Sequence, residues 1–122
     1  MRAYLTRSFD RDAKRDGISD EDCREAIRRA ERGLIDADLG GGLIKQRIPR
    51  GNRGAGKGSR AIVFYKREEV AVFLHIFAKS RKANLSKSEL VEYRKAAEAL
   101  GKLSEGEFLA LRARRGWRLL DL

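Results

Sequence analysis

Between Asp38 and Glu68 the chain has no acidic residue, yet it carries Lys45, Arg47, Arg50, Arg53, Lys57, Arg60, Lys66 and Arg67. Guanidinium groups present a fixed fork of donors that matches phosphate oxygens. A lysine crowded by other cations loses part of its preference for the protonated form. Such groups supply what a phosphodiester transfer needs: charge to hold the phosphate and stabilise the transition state, and a group able to move a proton. The flanking thirds mix signs, and with 28 Lys+Arg against 18 Asp+Glu the formal net charge is +10. A one-sign block between mixed-sign segments is the footprint of a polyanionic partner. The plain rival is a solvated basic surface. The block coincides with expected strands rather than a disordered tail, which favours the polyanion.

The centre of the block, R-G-N-R-G-A-G-K-G-S-R over residues 50–60, falls one residue short of a P-loop. A P-loop needs Ser or Thr directly after the lysine and a helix whose N-terminus faces the phosphates. Here Gly58 follows Lys57, Ser59 comes one place late, and A-I-V-F-Y reads as a strand. No acid ends a later strand in the Walker-B manner, since V-F-L-H-I-F-A-K runs into a lysine. Nucleotide binding is set aside. The glycines read instead as a loop between antiparallel strands, able to turn tightly and to let a phosphate backbone come close.

Other reactive side chains are few. His75, the single histidine, alternates with Phe73 and Phe77, which suggests an inward, structural ring, although strand pairing would bring Arg60 near it. One histidine without paired carboxylates gives no metal site, and no cofactor is expected. Cys23 lies in helical register with Ala26, Ile27 and Ala30, so it reads as a small buried side chain, and a lone cysteine excludes a disulfide framework. No apolar run approaches a membrane span, and M-R-A-Y-L-T-R-S-F-D-R-D lacks the apolar core of a signal peptide, so a cytoplasmic protein with no membrane partner is expected.

The elements that must position these residues are legible in outline. A chain of 122 residues suits one domain, 1–122, with about 101–122 as a C-terminal helical extension. A-Y-L-T reads as a short strand. S-F-D-R-D-A-K-R-D-G reads as a short helix capped by Ser8 and stopped at Gly17. S-D-E-D-C-R-E-A-I-R-R-A-E-R-G is the clearest helix, capped by Ser19 and stopped at Gly33. After Gly40-Gly41-Gly42 the period changes to that of strands: L-I-K-Q-R-I puts Lys45 and Arg47 on one face, and A-I-V-F-Y and V-A-V-F-L-H-I-F follow around the turn K-R-E-E. Two further helices carry capping boxes, Ser86 with Glu89 and Ser104 with Glu107. The first has the apolar stripe Leu90, Tyr93, Ala97 and Leu100. The tail W-R-L-L-D-L has no assigned place. The expected fold class is α+β: a small twisted antiparallel β-sheet of three or four strands, the N-terminal helices packed on one face, the charges on the other, and a C-terminal helical segment. Pairing in that sheet would bring Arg60 beside Lys45 and Arg47, and Lys57 toward Lys79.

This ordered series, G-G-L-I-K-Q-R-I, G-x-G-K-G-S-R and V-F-L-H-I-F-A-K-S-R-K-A-N-L before a helix, resembles the RelE/ParE superfamily of bacterial toxins. It is most similar to the HigB-type RelE-like toxins of type II toxin–antitoxin systems, from Met1 to about Leu100. The resemblance implies a RelE-like fold and a ribosome-dependent mRNA endonuclease (an mRNA interferase) that needs no metal and inhibits translation. Such toxins cut mRNA in the ribosomal decoding site, with the mRNA's own 2′-hydroxyl as nucleophile. The implied partners are the ribosome, mRNA and a cognate antitoxin, an acidic or helix-turn-helix protein encoded next door. By the family pattern Lys45 and Arg47 match the paired basic positions before the loop. Arg60 matches the arginine opening the next strand, and Lys79 the lysine ending the last one. Lys45 would be base or electrostatic stabiliser, Arg47 and Arg60 the phosphate clamps, and Lys79 a second grip or proton donor. Arg50, Arg53, Lys57, Arg81 and Lys82 would hold RNA, with Arg81 or Lys82 replacing a family arginine. A tyrosine that some members use has no counterpart, A-N-L-S standing in its place. Two rivals are a ParE-like toxin that inhibits DNA gyrase and a basic RNA- or DNA-binding module without catalysis. A toxin fold that no longer cuts is a third.

Overall fold

The structure is a computed structural model that describes residues 1–48 and 58–122. The chain opens with strand β1 (Arg2–Leu5) and helices α1 (Arg7–Arg15) and α2 (Asp20–Glu31). Strands β2 (Ala37–Gly40), β3 (Leu43–Ile48), β4 (Ser59–Lys66) and β5 (Val70–Ala78) follow, and then α3 (Lys87–Gly101), α4 (Glu105–Arg115) and β6 (Arg118–Leu120).

Local chemistry sets the helix starts. In α2, α3 and α4 a serine and an acid three residues on satisfy each other's backbone N–H groups: Ser19 with Asp22, Ser86 with Glu89, Ser104 with Glu107. Each such cap contributes about 1 kcal/mol. Helix α1 corrects the sequence reading. Its cap is Thr6, not Ser8: the Thr6 hydroxyl accepts from the Phe9 N–H at 3.3 Å and donates to the Phe73 carbonyl at 2.9 Å. Thr6 is preferred because it ties the helix start to a neighbouring strand, which the local pattern does not reveal.

The expected meander is present as β3-β4-β5, but the sheet is larger and mixed: six strands in the order β2-β3-β4-β5-β1-β6, with β1 parallel to β5 and the other pairs antiparallel. Strand β2 reaches β3 through the Gly41–Gly42 turn, where both residues have positive φ and a Cβ on Gly42 would lie 3.1 Å from the Phe64 ring. The tail expected as a helical extension supplies α4 and then β6, which pairs with β1 and buries Leu120 to 1 % exposure. Beside it, Arg118 donates to Asp10 of α1 and Asp20 of α2 at 2.8–3.0 Å.

Helices cover both faces of the sheet, which corrects the expectation of one helical and one open face. Phe9 and Ala13 of α1 and Cys23, Ala26, Ile27 and Ala30 of α2 pack on Ile44, Ala61, Val63 and Phe73, with Phe9 and Phe73 ring centroids 5.0 Å apart. Burial of this kind stabilises by about 1.5–3 kcal/mol per large apolar side chain. It also pushes the Cys23 thiol up to about 12. On the opposite face Ala97 and Leu100 of α3 and Phe108 of α4 pack on Tyr4, Leu43, Phe64 and Val72. The charged residues occupy one end of this second face. Along β3, Leu43 is fully buried, the Lys45 side chain is 15 % exposed and that of Arg47 is 40 % exposed.

Candidate functional site

Antiparallel register builds the site. Arg47 of β3 lies opposite Arg60 of β4, and two pairs back, on the same face, Lys45 lies opposite Ile62. Strand β5 continues both rungs, with Phe77 beside Arg60 and His75 beside Ile62. Arg60, Arg47 and Lys45 therefore converge, as the sequence reading expected. Arg60 is 3 % exposed, and burial is the main cause that lowers its pKa, with Asp36 opposing and Arg47 adding to the shift.

At the point of convergence stands a residue the sequence reading missed. The Asp36 carboxylate lies 3.5 Å from Arg60 Nε, 3.7 Å from Lys45 Nζ and 3.9 Å from Arg47 Nη2. Its backbone N–H donates to Gln46 Oε1 at 2.9 Å, and the Gln46 amide in turn donates to the carbonyls of Ala26 and Leu34. Gln46 faces α2, 1 % exposed, so a buried amide fixes the segment that carries Asp36. Asn84, in the A-N-L-S segment that lacks the family tyrosine, was also missed; its Oδ1 accepts from Lys45 Nζ at 2.9 Å. Asp36 lies just before the acid-free interval, which was the available signal. Arg29 donates to the Arg47 carbonyl. Arg47 Nε and Ser59 Oγ are buried with no hydrogen-bond partner among the described residues.

The remaining expected residues separate from this group. Lys79 directly follows β5 at the same end of the sheet, its backbone N–H donating to the Gly58 carbonyl at 3.1 Å, but among the described residues its ammonium makes no ion pair with Asp36. Lys82 is committed elsewhere: it donates to both Glu89 oxygens at 2.7 and 2.9 Å and lies 5.2 Å above the Phe77 ring. These bonds hold Glu89 at about 2. Arg81 lines a cleft of about 250 Å³ with His75, Lys82 and Glu89. Arg50, Arg53 and Lys57 lie outside the described residues.

His75 does not share a face with Phe73, as strict alternation had implied. Ile62 pairs with His75 but Val63 with Phe73, so Leu74 is an extra residue in a β-bulge. The bulge sends Phe73 to the α1 side and turns His75 toward α3, where it stacks on Tyr93 at 5.3 Å between centroids. Burial first, and then Lys82, lower its pKa, so the ring is neutral at pH 7.

Among the described residues no group of His, Cys, Asp and Glu side chains is arranged to hold a metal ion, and no helix is long and apolar enough to cross a membrane. What the arrangement can do is bind an anion: three cations, one of them buried, face a single point that one carboxylate only partly neutralises. Comparison with curated proteins gives no match. Comparison with protein families matches residues 1–116 to the RelE toxin of the RelE/RelB toxin–antitoxin system. That span runs from β1 through α4 and includes every cation of the site, so the chain belongs to the RelE toxin family and is the toxin half of a toxin–antitoxin pair.

Proposed function

We propose that this toxin is an endoribonuclease that cuts mRNA on the ribosome, in the cytoplasm, with Lys45, Arg47 and Arg60 as its phosphate site. The supporting observation is their convergence, with the Arg60 side chain only 4 % exposed at its centre. A guanidinium is costly to bury without a full complement of partners, and a phosphate supplies them. In this reading the 2′-hydroxyl attacks the adjacent phosphorus, its proton passes to a base, and the 5′-oxygen leaves with a proton. Arg47 and Arg60 hold the non-bridging oxygens and stabilise the added negative charge. Lys45 is the base or the stabilising charge beside it, and Lys79 is a second grip or proton donor.

The test is induced expression of the wild type and of Lys45→Ala with Arg60→Ala, with 5′ ends of cellular mRNA mapped. Cleavage within translated frames should be lost in the double variant. Full growth inhibition by that variant would sink the assignment. Inhibition of supercoiling by the purified wild type, without mRNA cleavage, would favour the gyrase-directed reading.

For the antitoxin, the best-fitting surface is a groove of about 690 Å³ between α3, α4 and the start of α1. Leu74, Leu100 and Trp117 give it an apolar floor, and Arg7, Arg114 and Arg115 line its rim without an ion pair among the described residues. That surface complements an acidic amphipathic segment of the antitoxin.

A further inference from the structure

We propose that Asp36 is an internal occupant of the anion site: its carboxylate holds the place that an RNA phosphate takes, and binding of the phosphate displaces it. This rests on the reading of Lys45, Arg47 and Arg60 as a phosphate site and goes beyond it.

The geometry is that of a placeholder rather than a structural ion pair. All three cations lie 3.5–3.9 Å from Asp36, beyond good hydrogen-bond length. Among the described residues their direct bonds go elsewhere or are not made. Lys45 Nζ donates to Asn84 at 2.9 Å, Arg60 Nη1 donates to the Ser59 carbonyl at 3.3 Å, and buried Arg47 Nε has no partner among the described residues. Three cations gathered around one point, with the buried Arg47 Nε unpartnered among the described residues, fit a tetrahedral anion better than a planar carboxylate held at a distance.

Asp36 is also free to move aside without disturbing its backbone. Its main chain is fixed by Gln46, which is anchored to Ala26 and Leu34, so its position does not depend on the cations. Rotation of the side chain alone would clear the site. Three cations and one carboxylate leave the resting site at +2, and displacement raises the charge offered to the phosphate to +3. The occupant therefore lowers affinity for stray anions, and a substrate must be positioned well enough to compete with it.

The test uses an all-deoxy oligonucleotide, which lacks the 2′-hydroxyl and cannot be cut, bound to purified toxin without ribosomes. Asp36→Asn, nearly isosteric, should bind about 3–10-fold tighter at fixed ionic strength, because the phosphate no longer competes with an internal carboxylate. Equal or weaker binding by a variant with native circular dichroism overturns the proposal. A measurement on the unsubstituted protein guards against a variant that fails to fold. On saturation with the oligonucleotide the Asp36 carboxyl ¹³C resonance should move, while that of Asp38, which accepts from the Gly40 N–H at 2.9 Å, should not. An Asp36 resonance that stays put overturns the proposal. The Arg60→Ala variant separates the two levels. If it binds as well as wild type, the phosphate site fails and this proposal with it. If it binds more weakly while Asp36→Asn binds no tighter, only the placeholder fails.

Discussion

Two clusters of charge in this molecule use the same chemistry to opposite ends. At the β6 end, Arg118 meets Asp10 and Asp20, one cation between two carboxylates, through four bonds of 2.8–3.0 Å. At the β3–β4 end, Asp36 meets Lys45, Arg47 and Arg60, one carboxylate among three cations, at 3.5–3.9 Å. The pKa directions follow. Hydrogen bonds that Arg118 donates to Asp20 and Asp10 drive it further into its charged form, whereas burial pulls Arg60 the other way. The first cluster is closed, with its donors used. The second holds charge in excess and donors in reserve, which is how a binding site differs from a fastening.

The comparison is broken most severely at Arg60. Arg60→Ala should lower the rate of mRNA cleavage by about 10²–10³, the cost of removing one preorganised donor to a developing oxyanion. This is measured on translating ribosomes against a wild-type control. If cleavage persists unchanged, the two clusters are both fastenings.

Arg118→Ala is the reciprocal experiment. It should reduce stability by about 1–3 kcal/mol in denaturant titration, because two carboxylates lose a shared bidentate partner that is itself partly exposed. Cleavage per folded molecule should be retained. Arg118→Lys should recover little, since an ammonium cannot serve both forks.

Titration sharpens the contrast further. Asp10 and Asp20 are held below their ordinary 3.8, first by their hydrogen bonds to Arg118, and Glu89 is held below its ordinary 4.5, at about 2, first by Lys82. Groups depressed in the folded state stabilise it fully above their ordinary values and lose that contribution as pH falls toward the folded ones. Melting temperature should therefore fall as pH drops below about 4.5, and less steeply in Arg118→Ala. His75 adds an earlier limb: its folded ring prefers to be neutral, so stability begins to fall once pH drops through 6.5. His75→Gln should remove that limb while leaving the lower one.

The smallest expected effect comes from a site that touches neither cluster. Glu68, in the β4–β5 turn, has φ +67. Glu68→Gly should be neutral or stabilising by up to about 1 kcal/mol, as relief of the left-handed backbone is offset by greater freedom in the unfolded chain. A loss above that would show that the Lys66–Glu69 pair, 3.0 Å across the same turn, depends on the backbone as built.

What could be read in the sequence was what is local. Strands β3, β4 and β5 announce themselves by β-branched alternation, the caps at Ser19, Ser86 and Ser104 by the acid three residues on, and the facing of Arg47 and Arg60 by two short connections. What escaped depends on partners far along the chain. Ala-Asp-Leu-Gly of β2 and the three residues of β6 are too short to show a period, and β1, legible as a strand, gives no sign that it pairs in parallel with β5. Thr6 was passed over for Ser8 because its second bond is to Phe73. The bulge at Leu74 leaves no mark in composition, so alternation alone puts His75 on the face of Phe73, while strand pairing points it to the other. Asp36 was hidden for the same reason: only Gln46 and the folded sheet bring it among the cations.

The place of β1 in the sheet also bears on the order of assembly. Strands β3, β4 and β5 join neighbours in sequence and can close early. Strand β1, made first, waits for Val70–Phe73 before it has a partner, and β6 must arrive to cover its other edge. Pairings between nearby residues close faster than those between distant ones. All three cations of the site stand on the early part and the Arg118 fastening on the late part. On contact separation alone, the charged face should close before the lock, and pulse-labelled hydrogen exchange during refolding should find β3–β5 protected ahead of β1 and β6.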